Sequence, residues 1–276
     1  MKAFKFFGFL LLMITVISCS DTNAIYAEIP INDNVDAPPV SGQFNKRVLV
    51  EDYTGTWCGN CTRVSYGIEE LEKKTDKAVV IAIHNGNDPY HYADYQPLKD
   101  LISPNNDLEL PQARLNRTTV WVDPDTNSQD ALNLTSNNSG LGIAMSSVVA
   151  NGTIDLDVKV KFAQNYSNLK LVVYILENGL VYRQVNYSNY YNSVYNITDF
   201  EHNHVLRTSL TYLLGDPMVG TDFDQIYSRN FTLAIPTSIA NANNISFVAM
   251  VVNANNYAIN CRASEPNEVQ DFEENP

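Results

Sequence analysis

The hydrophobic period changes near Gly140, and this change constrains the fold more than any other feature of the 276-residue chain. After it, the pattern is one of short strands. "LGIAMSSVVA" and "TIDLDVKVKF" flank Asn151-Gly152, and "LKLVVYILE" and "LVYRQVNY" flank Asn178-Gly179. Asn-Gly between such runs is a strong hairpin signal, because both residues tolerate the positive φ that a type I′ turn requires. Further strand-like runs are "HNHVLRTSLTYL", "DQIYSRNFTLAI", "NISFVAMVV" and "YAINCRAS". Seven or eight short strands without helices predict an antiparallel β-sandwich over residues 138–276.

Before Gly140, strands alternate with helical periodicity. "RVLVEDYT" reads as a short apolar strand, and "AVVIAIH" (Ala78–His84) as one buried on both faces. Between them, Val64, Ile68 and Leu71 form a stripe at i, i+4 and i+7, with Glu69–Lys73 and Glu70–Lys74 pairs on the wet side. The spacing predicts an amphipathic helix starting at Cys61. A strand, a crossover helix and a second strand predict parallel pairing. "PYHYADYQPLKDLI" supplies a further helix, "QARLN" and "TTVWV" two strands and "PDTNSQDALNL" a last short helix, giving an α/β domain over residues 45–137.

The amino terminus sets the compartment. Lys2 and Lys5 precede an apolar stretch from Phe6 to Ile17, too short to span a bilayer as a stable helix. "VISC", with small Ser18 before Cys19, resembles the lipobox of bacterial lipoproteins. That resemblance implies a signal peptide over 1–18, cleavage before Cys19 and lipidation of its sulfur. Residues 19–44, rich in Asp, Asn and Pro, read as a tether. Loss of the two lysines with the signal leaves 16 basic residues against 31 acidic ones, about −15 in all. Such a chain repels phosphate backbones, so nucleic acid is not an expected partner.

Lipidation of Cys19 leaves Cys58, Cys61 and Cys261. No second C-x-x-C or H-x-x-x-H accompanies the Cys58/Cys61 pair, which argues against zinc, and no cofactor is expected. A disulfide closing so short a loop adds little stability. A redox pair accounts for more of the residues: Cys58, just ahead of the helix, is placed where free backbone N–H groups favour a thiolate, and Cys61 is placed to resolve a mixed disulfide. Cys261 reads best as a small buried hydrophobe.

The order strand, Trp57, Cys58-Gly59-Asn60-Cys61, helix resembles the thioredoxin fold. The resemblance implies that Cys58 is the nucleophile, that Cys61 resolves, that Trp57 shields the site, and that a buried carboxylate six residues before Cys58, Asp52, assists proton transfer. Glu51 is the alternative to Asp52. It further implies a cis-proline opposite the disulfide, for which Pro111 in "LELPQARLN" is placed. His84 and His91 could tune the cysteine or be solvated loop histidines. The lipobox, "VLVEDYTGTWCGNC", the strand with Pro111, Asn116 and Arg117, and "HNHVLRTSL" together resemble the 28 kDa outer-membrane lipoprotein family of Bacteroidetes. That likeness implies an outer-membrane location and a thioredoxin-like domain joined to a β domain.

Two further features bear on binding. His202 and His204 would project from one face of a strand, as a metal pair or as structural histidines. The Tyr- and Asn-rich run "YRQVNYSNYYNSVYNITDF" has the composition of a binding loop, or of polar packing under a long loop. The expected function is a lipid-anchored, extracytoplasmic thiol–disulfide oxidoreductase acting on protein thiols and disulfides of the cell envelope. The alternative is a surface-exposed binding or adhesion module with a structural disulfide, whose β domain meets a host or surface ligand.

Overall fold

The computed structural model describes residues 43–105 and 108–275. The signal segment 1–18, Cys19 and nearly all of the tether lie outside the described residues. β1 (Phe44–Asn45) precedes β2 (Val48–Thr54), and α1 (Thr62–Glu72) carries the chain to β3 (Ala78–His84). α2 (Gln96–Ile102), β4 (Gln112–Leu115), β5 (Thr119–Val120) and α3 (Gln129–Asn133) follow. Then come β6 (Asn138–Ser139), β7 (Leu141–Ala150), β8 (Thr153–Phe162), β9 (Lys170–Glu177), β10 (Leu180–Val185), β11 (Asn196–His202) and β12 (Val205–Ser209). β13 (Asp216–Pro217), β14 (Ile226–Ala234), β15 (Ile245–Val252) and β16 (Ala258–Ser264) complete the order.

Much of the local pattern forms as expected. Val64, Ile68 and Leu71 are the buried stripe of α1, which begins directly after Cys61. β2 and β3 pair in parallel, from Val48 opposite Ala78 to Thr54 opposite His84. β7 and β8 form a hairpin around Asn151 (φ 52°) and Gly152 (φ 77°).

The expected α/β thioredoxin-like domain followed by an all-β sandwich domain is overturned by the sheet order. The molecule is β-rich, and the strands of both halves share one nine-stranded sheet ordered β16-β15-β9-β12-β3-β2-β4-β5, with β13 beside β9. β12 is the seam, parallel to β3 on one side and antiparallel to β9 on the other. The physical reason is visible in "LKLVVYILE" and "NISFVAMVV". These runs do not alternate, and a continuous apolar strand requires cover on both faces. β15 is buried at every position. Its residues Ile245, Phe247, Ala249 and Val251 pack against the separate β14-β8-β7 sheet, whereas Val248, Met250 and Val252 face a second core shared with Leu49, Tyr53, Ile81 and Ile83 of β2 and β3. A third core lies on the opposite face of β2 and β3, where Val48, Val50 and Val80 meet the α1 stripe.

The hairpin expected at Asn178-Gly179 does not form either. Only Gly179 takes a positive φ, 68°, so the type I′ geometry is absent. Asn178 instead accepts the His204 backbone N–H at its side-chain oxygen, 2.7 Å away, and the chain leaves the sheet. β10 and β11 pair only with one another, as an arm outside the main sheet.

Candidate functional site

β2 delivers the chain into a tight turn. The Cys58 backbone N–H donates to the Gly55 carbonyl at 2.9 Å, that of Cys61 donates to the Cys58 carbonyl at 3.2 Å, and α1 begins. Cys58 and Cys61 are joined as a disulfide with an S–S distance of 2.04 Å, and both are buried. Trp57 is half-exposed beside them, and its indole N–H donates to the Asn85 carbonyl at 2.8 Å. The Thr56 N–H donates to Asp88 Oδ2 at 2.6 Å, and Asp88 also meets His84 Nδ1 at 3.0 Å. His84 therefore belongs to this neighbourhood, whereas His91 meets the Tyr95 ring edge to face elsewhere in that loop. The Leu110–Pro111 peptide bond is cis, and Pro111 lines a shallow depression with Arg63 and Val64 of the first turn of α1.

The arm covers this turn. The Val185 N–H donates to the Thr56 carbonyl at 2.9 Å and the Tyr187 N–H to the Gly59 carbonyl at 2.8 Å. Gln184 Nε2 donates to the Cys58 carbonyl at 3.0 Å, and Thr62 Oγ1 lies 2.8 Å from Asn186 Oδ1. The Tyr187 ring lies so close over Gly59 that a Cβ built there would stand 2.4 Å from it, which explains a residue without a side chain between the cysteines. The Tyr- and Asn-rich run read as a binding loop is thus this arm together with its tip. Its docking over the cysteines bridges sequence separations above one hundred residues, and no local pattern announces it.

The two carboxylates of β2 face opposite ways. Glu51, fully buried, accepts from Arg117 Nε at 3.0 Å and from the Tyr53 hydroxyl at 3.1 Å. Arg117 also donates to the Tyr174 hydroxyl at 3.0 Å. Asp52, 3% exposed, has no hydrogen-bond partner at Oδ1, and burial pushes its pKa up to about 8. It lies in an open-sided cavity of about 80 Å³ bounded by β2, β3, α1 and the arm. His202 lines the same cavity with Nε2 unpartnered, and burial, with His84 beside it, lowers its pKa to about 4.

The expected pairing of His202 and His204 on one strand face does not occur. β11 ends at His202, His204 takes a φ of 58°, and its Nε2 meets Glu72 at 3.1 Å. Among the described residues, no cluster of three or more His, Cys, Asp and Glu side chains is arranged to hold a metal ion. Cys261 is a free, buried thiol, and burial pushes it up to about 12, as suits a small hydrophobe in the second core.

The sequence model for a family described as outer membrane protein Omp28 matches residues 105–270, more than half of the chain. The chain belongs to the Omp28 outer membrane protein family. Its place is accordingly the outer membrane. The matched segment includes the arm, the seam strand and the β14-β8-β7 sheet, and it begins after the cysteine pair. In three dimensions the chain is similar to HBP35 of Porphyromonas gingivalis, at 16% identity and a TM-score of 0.60, over 83% of this chain and 78% of that one. That likeness is one of fold, and the fold is the β-rich one described above. A crystallised domain of the outer membrane lipoprotein Omp28 from Porphyromonas gingivalis matches with 20% identity and a TM-score of 0.32, over 48% of this chain and 92% of that domain. No curated protein matches the chain.

Proposed function

We propose that this Omp28-family protein is a binding module of the outer membrane, tethered by a lipid on Cys19, with the Cys58–Cys61 disulfide serving as a structural clasp. The contact surface is the outer side of the arm. The observation that carries this reading is how the arm sits: it covers the disulfide while leaving large aromatic rings more than half in solvent. Tyr187 and Tyr195 are 62% and 63% exposed, with ring centroids 5.7 Å apart and planes 22° from parallel. Val181 and Val194 add exposed apolar area on the same arm. Rigid tyrosines beside asparagines give contact area at low entropic cost, with amide hydrogen bonding to adapt it. The ligand would be a host or cell-surface component.

The test uses cells displaying the full chain and measures their adherence to a surface coated with extracellular-matrix protein. Joint substitution Tyr187→Ser and Tyr195→Ser should lower adherence several-fold at unchanged expression. Unchanged adherence would refute the arm as the contact surface.

A second reading, thiol–disulfide exchange with envelope proteins, is favoured by the position of Cys58 just ahead of α1, beside half-exposed Trp57. There, once an envelope dithiol has reduced the pair, the Cys58 thiolate would attack a substrate disulfide and expel one substrate thiolate, Cys61 would attack Cys58 to expel the second and restore the Cys58–Cys61 disulfide, Pro111 would help present the substrate backbone, and Asp52 would exchange protons. Cys61→Ala expressed in the envelope separates the readings. Trapped mixed disulfides on Cys58 would support exchange, and a uniformly free Cys58 would leave the clasp.

A further inference from the structure

The cavity beneath the arm is built unlike a packing defect. A dry void between packed elements is lined by apolar groups, whereas here two buried polar atoms, Asp52 Oδ1 and His202 Nε2, face the space without partners. Leaving such groups unpaired ordinarily costs about 1–3 kcal/mol each, a cost that a polar guest in the cavity would remove. The His202 ring lies beside the Tyr182 carbonyl, and in the tautomer protonated at Nδ1 it donates toward that oxygen. A neutral ring so placed presents the bare lone pair of Nε2 to the cavity. Both orphan atoms can then act as hydrogen-bond acceptors. Phe200 supplies an aromatic wall, and Glu69, Glu72 and Glu201 stand around the mouth.

We propose that this cavity binds a primary ammonium group, the head of an alkylamine or of a lysine side chain, with Asp52 and His202 accepting its N–H donors. Size, shape and charge agree. At about 80 Å³ the cavity is roughly half the ~150 Å³ void that takes a benzene ring, which suits a compact head group on a narrow chain. Three carboxylates at the mouth raise the local concentration of cations, and Phe200 stands in the wall. The site is separate from the outer tyrosines of the arm and depends on neither reading above.

The site carries a built-in pH dependence. Free Asp52 holds its proton up to about pH 8, and the ammonium pairs with the ionised form. Apparent affinity should therefore be full above pH 8 and fall as the pH drops, by roughly a hundredfold at pH 6, where only about one molecule in a hundred is binding-competent. The other titratable groups facing the cavity are Glu69 and Glu72 from α1, His84 from β3, and Glu201, His202 and His204 from the arm and its continuation. Tyr191, near enough for its own ionisation to be opposed by Asp52, faces it from the arm tip. His202, held near 4, stays neutral across this range.

The experiment is a titration of the full chain in detergent with n-butylammonium, n-butanol and butyrate at pH 6 and pH 9, followed by the His202 and Phe200 ring resonances. n-Butylammonium should bind at about millimolar strength at pH 9 and far more weakly at pH 6, and the alcohol and the carboxylate should bind at neither pH. Asp52→Asn should reduce binding at least tenfold and flatten the pH dependence. Phe200→Leu, at the cavity wall, should reduce it several-fold in a chain whose remaining resonances are unchanged. Butanol binding as tightly as the amine, binding equal at the two pH values, or no shift of either ring at pH 9 would each overturn the proposal, and these arms need only the unaltered chain.

Discussion

Glu51 and Asp52 are chain neighbours, equally buried, and they are handled in opposite ways. Glu51 points into the core between the two halves of the long sheet and meets Arg117, Tyr53 and, through Arg117, Tyr174. Asp52 points toward α1 and the arm and meets no donor at Oδ1. One residue of offset on a strand selects the face, and here it selects the role as well. A carboxylate met by donors ties sheet strands together, whereas a buried carboxyl without a partner at Oδ1, in a cavity opening to solvent, is a candidate for binding.

Breaking the Glu51 side should have the largest effect. Glu51→Ala leaves the guanidinium of Arg117 buried without its counter-ion, and a loss of about 3–5 kcal/mol is expected in chemical denaturation at neutral pH. Asp52→Asn should do the reverse. The folded-state pKa of about 8 lies above the unfolded value of roughly 4. The bound proton therefore stabilises the fold fully below pH 4, and this stabilisation is lost as the pH rises to 8. The unaltered chain should weaken across that window and the Asn variant should not, with the variant ahead by about 2–3 kcal/mol at pH 8 after allowing for solvent at the cavity mouth. If both chains weaken equally, Asp52 is not the buried acid described here.

Gly59→Ala sharpens the contrast by lifting the arm, since its Cβ would collide with the Tyr187 ring. A loss of up to about 3 kcal/mol is expected, together with a fall in the Asp52 carboxyl pKa, read by NMR, as water reaches that face. The environment of Glu51 should not change. Replacing both Cys58 and Cys61 by Ser should have the smallest effect, no more than about 2 kcal/mol in thermal denaturation, because the closed loop is so short.

What could be read in the sequence was local. The stripe Val64, Ile68, Leu71 gave α1, and Asn151-Gly152 gave the β7–β8 hairpin. Asp52 could be singled out by its offset from Cys58, but its lack of a partner could not, because that depends on β11 lying across α1. Arg117 shows no periodicity that marks it as fully buried, and its partner Glu51 is 66 positions away. The fold class differs from the sequence expectation for a physical reason. "TIDLDVKVKF" alternates strictly and is half-wet, as its sandwich assignment requires, while "NISFVAMVV" is apolar without a break from Phe247 to Val252. Grouping the two as strands of one kind hid the fact that β15 and β9 have cover on both sides. In the second half as in the first, an unbroken apolar run marks the interior of a layered sheet.

The seam at β12 also governs the order in which the molecule can be assembled. β3 has β2 on one side from early in the chain, but its other neighbour, β12, follows only after the entire arm. Lys46, likewise, finds the Ala258 carbonyl 212 positions downstream. A chain emerging amino end first therefore travels with an unpaired, strongly apolar strand edge, the kind of surface that recruits wrong partners. That edge stays open until the last third of the polypeptide has arrived.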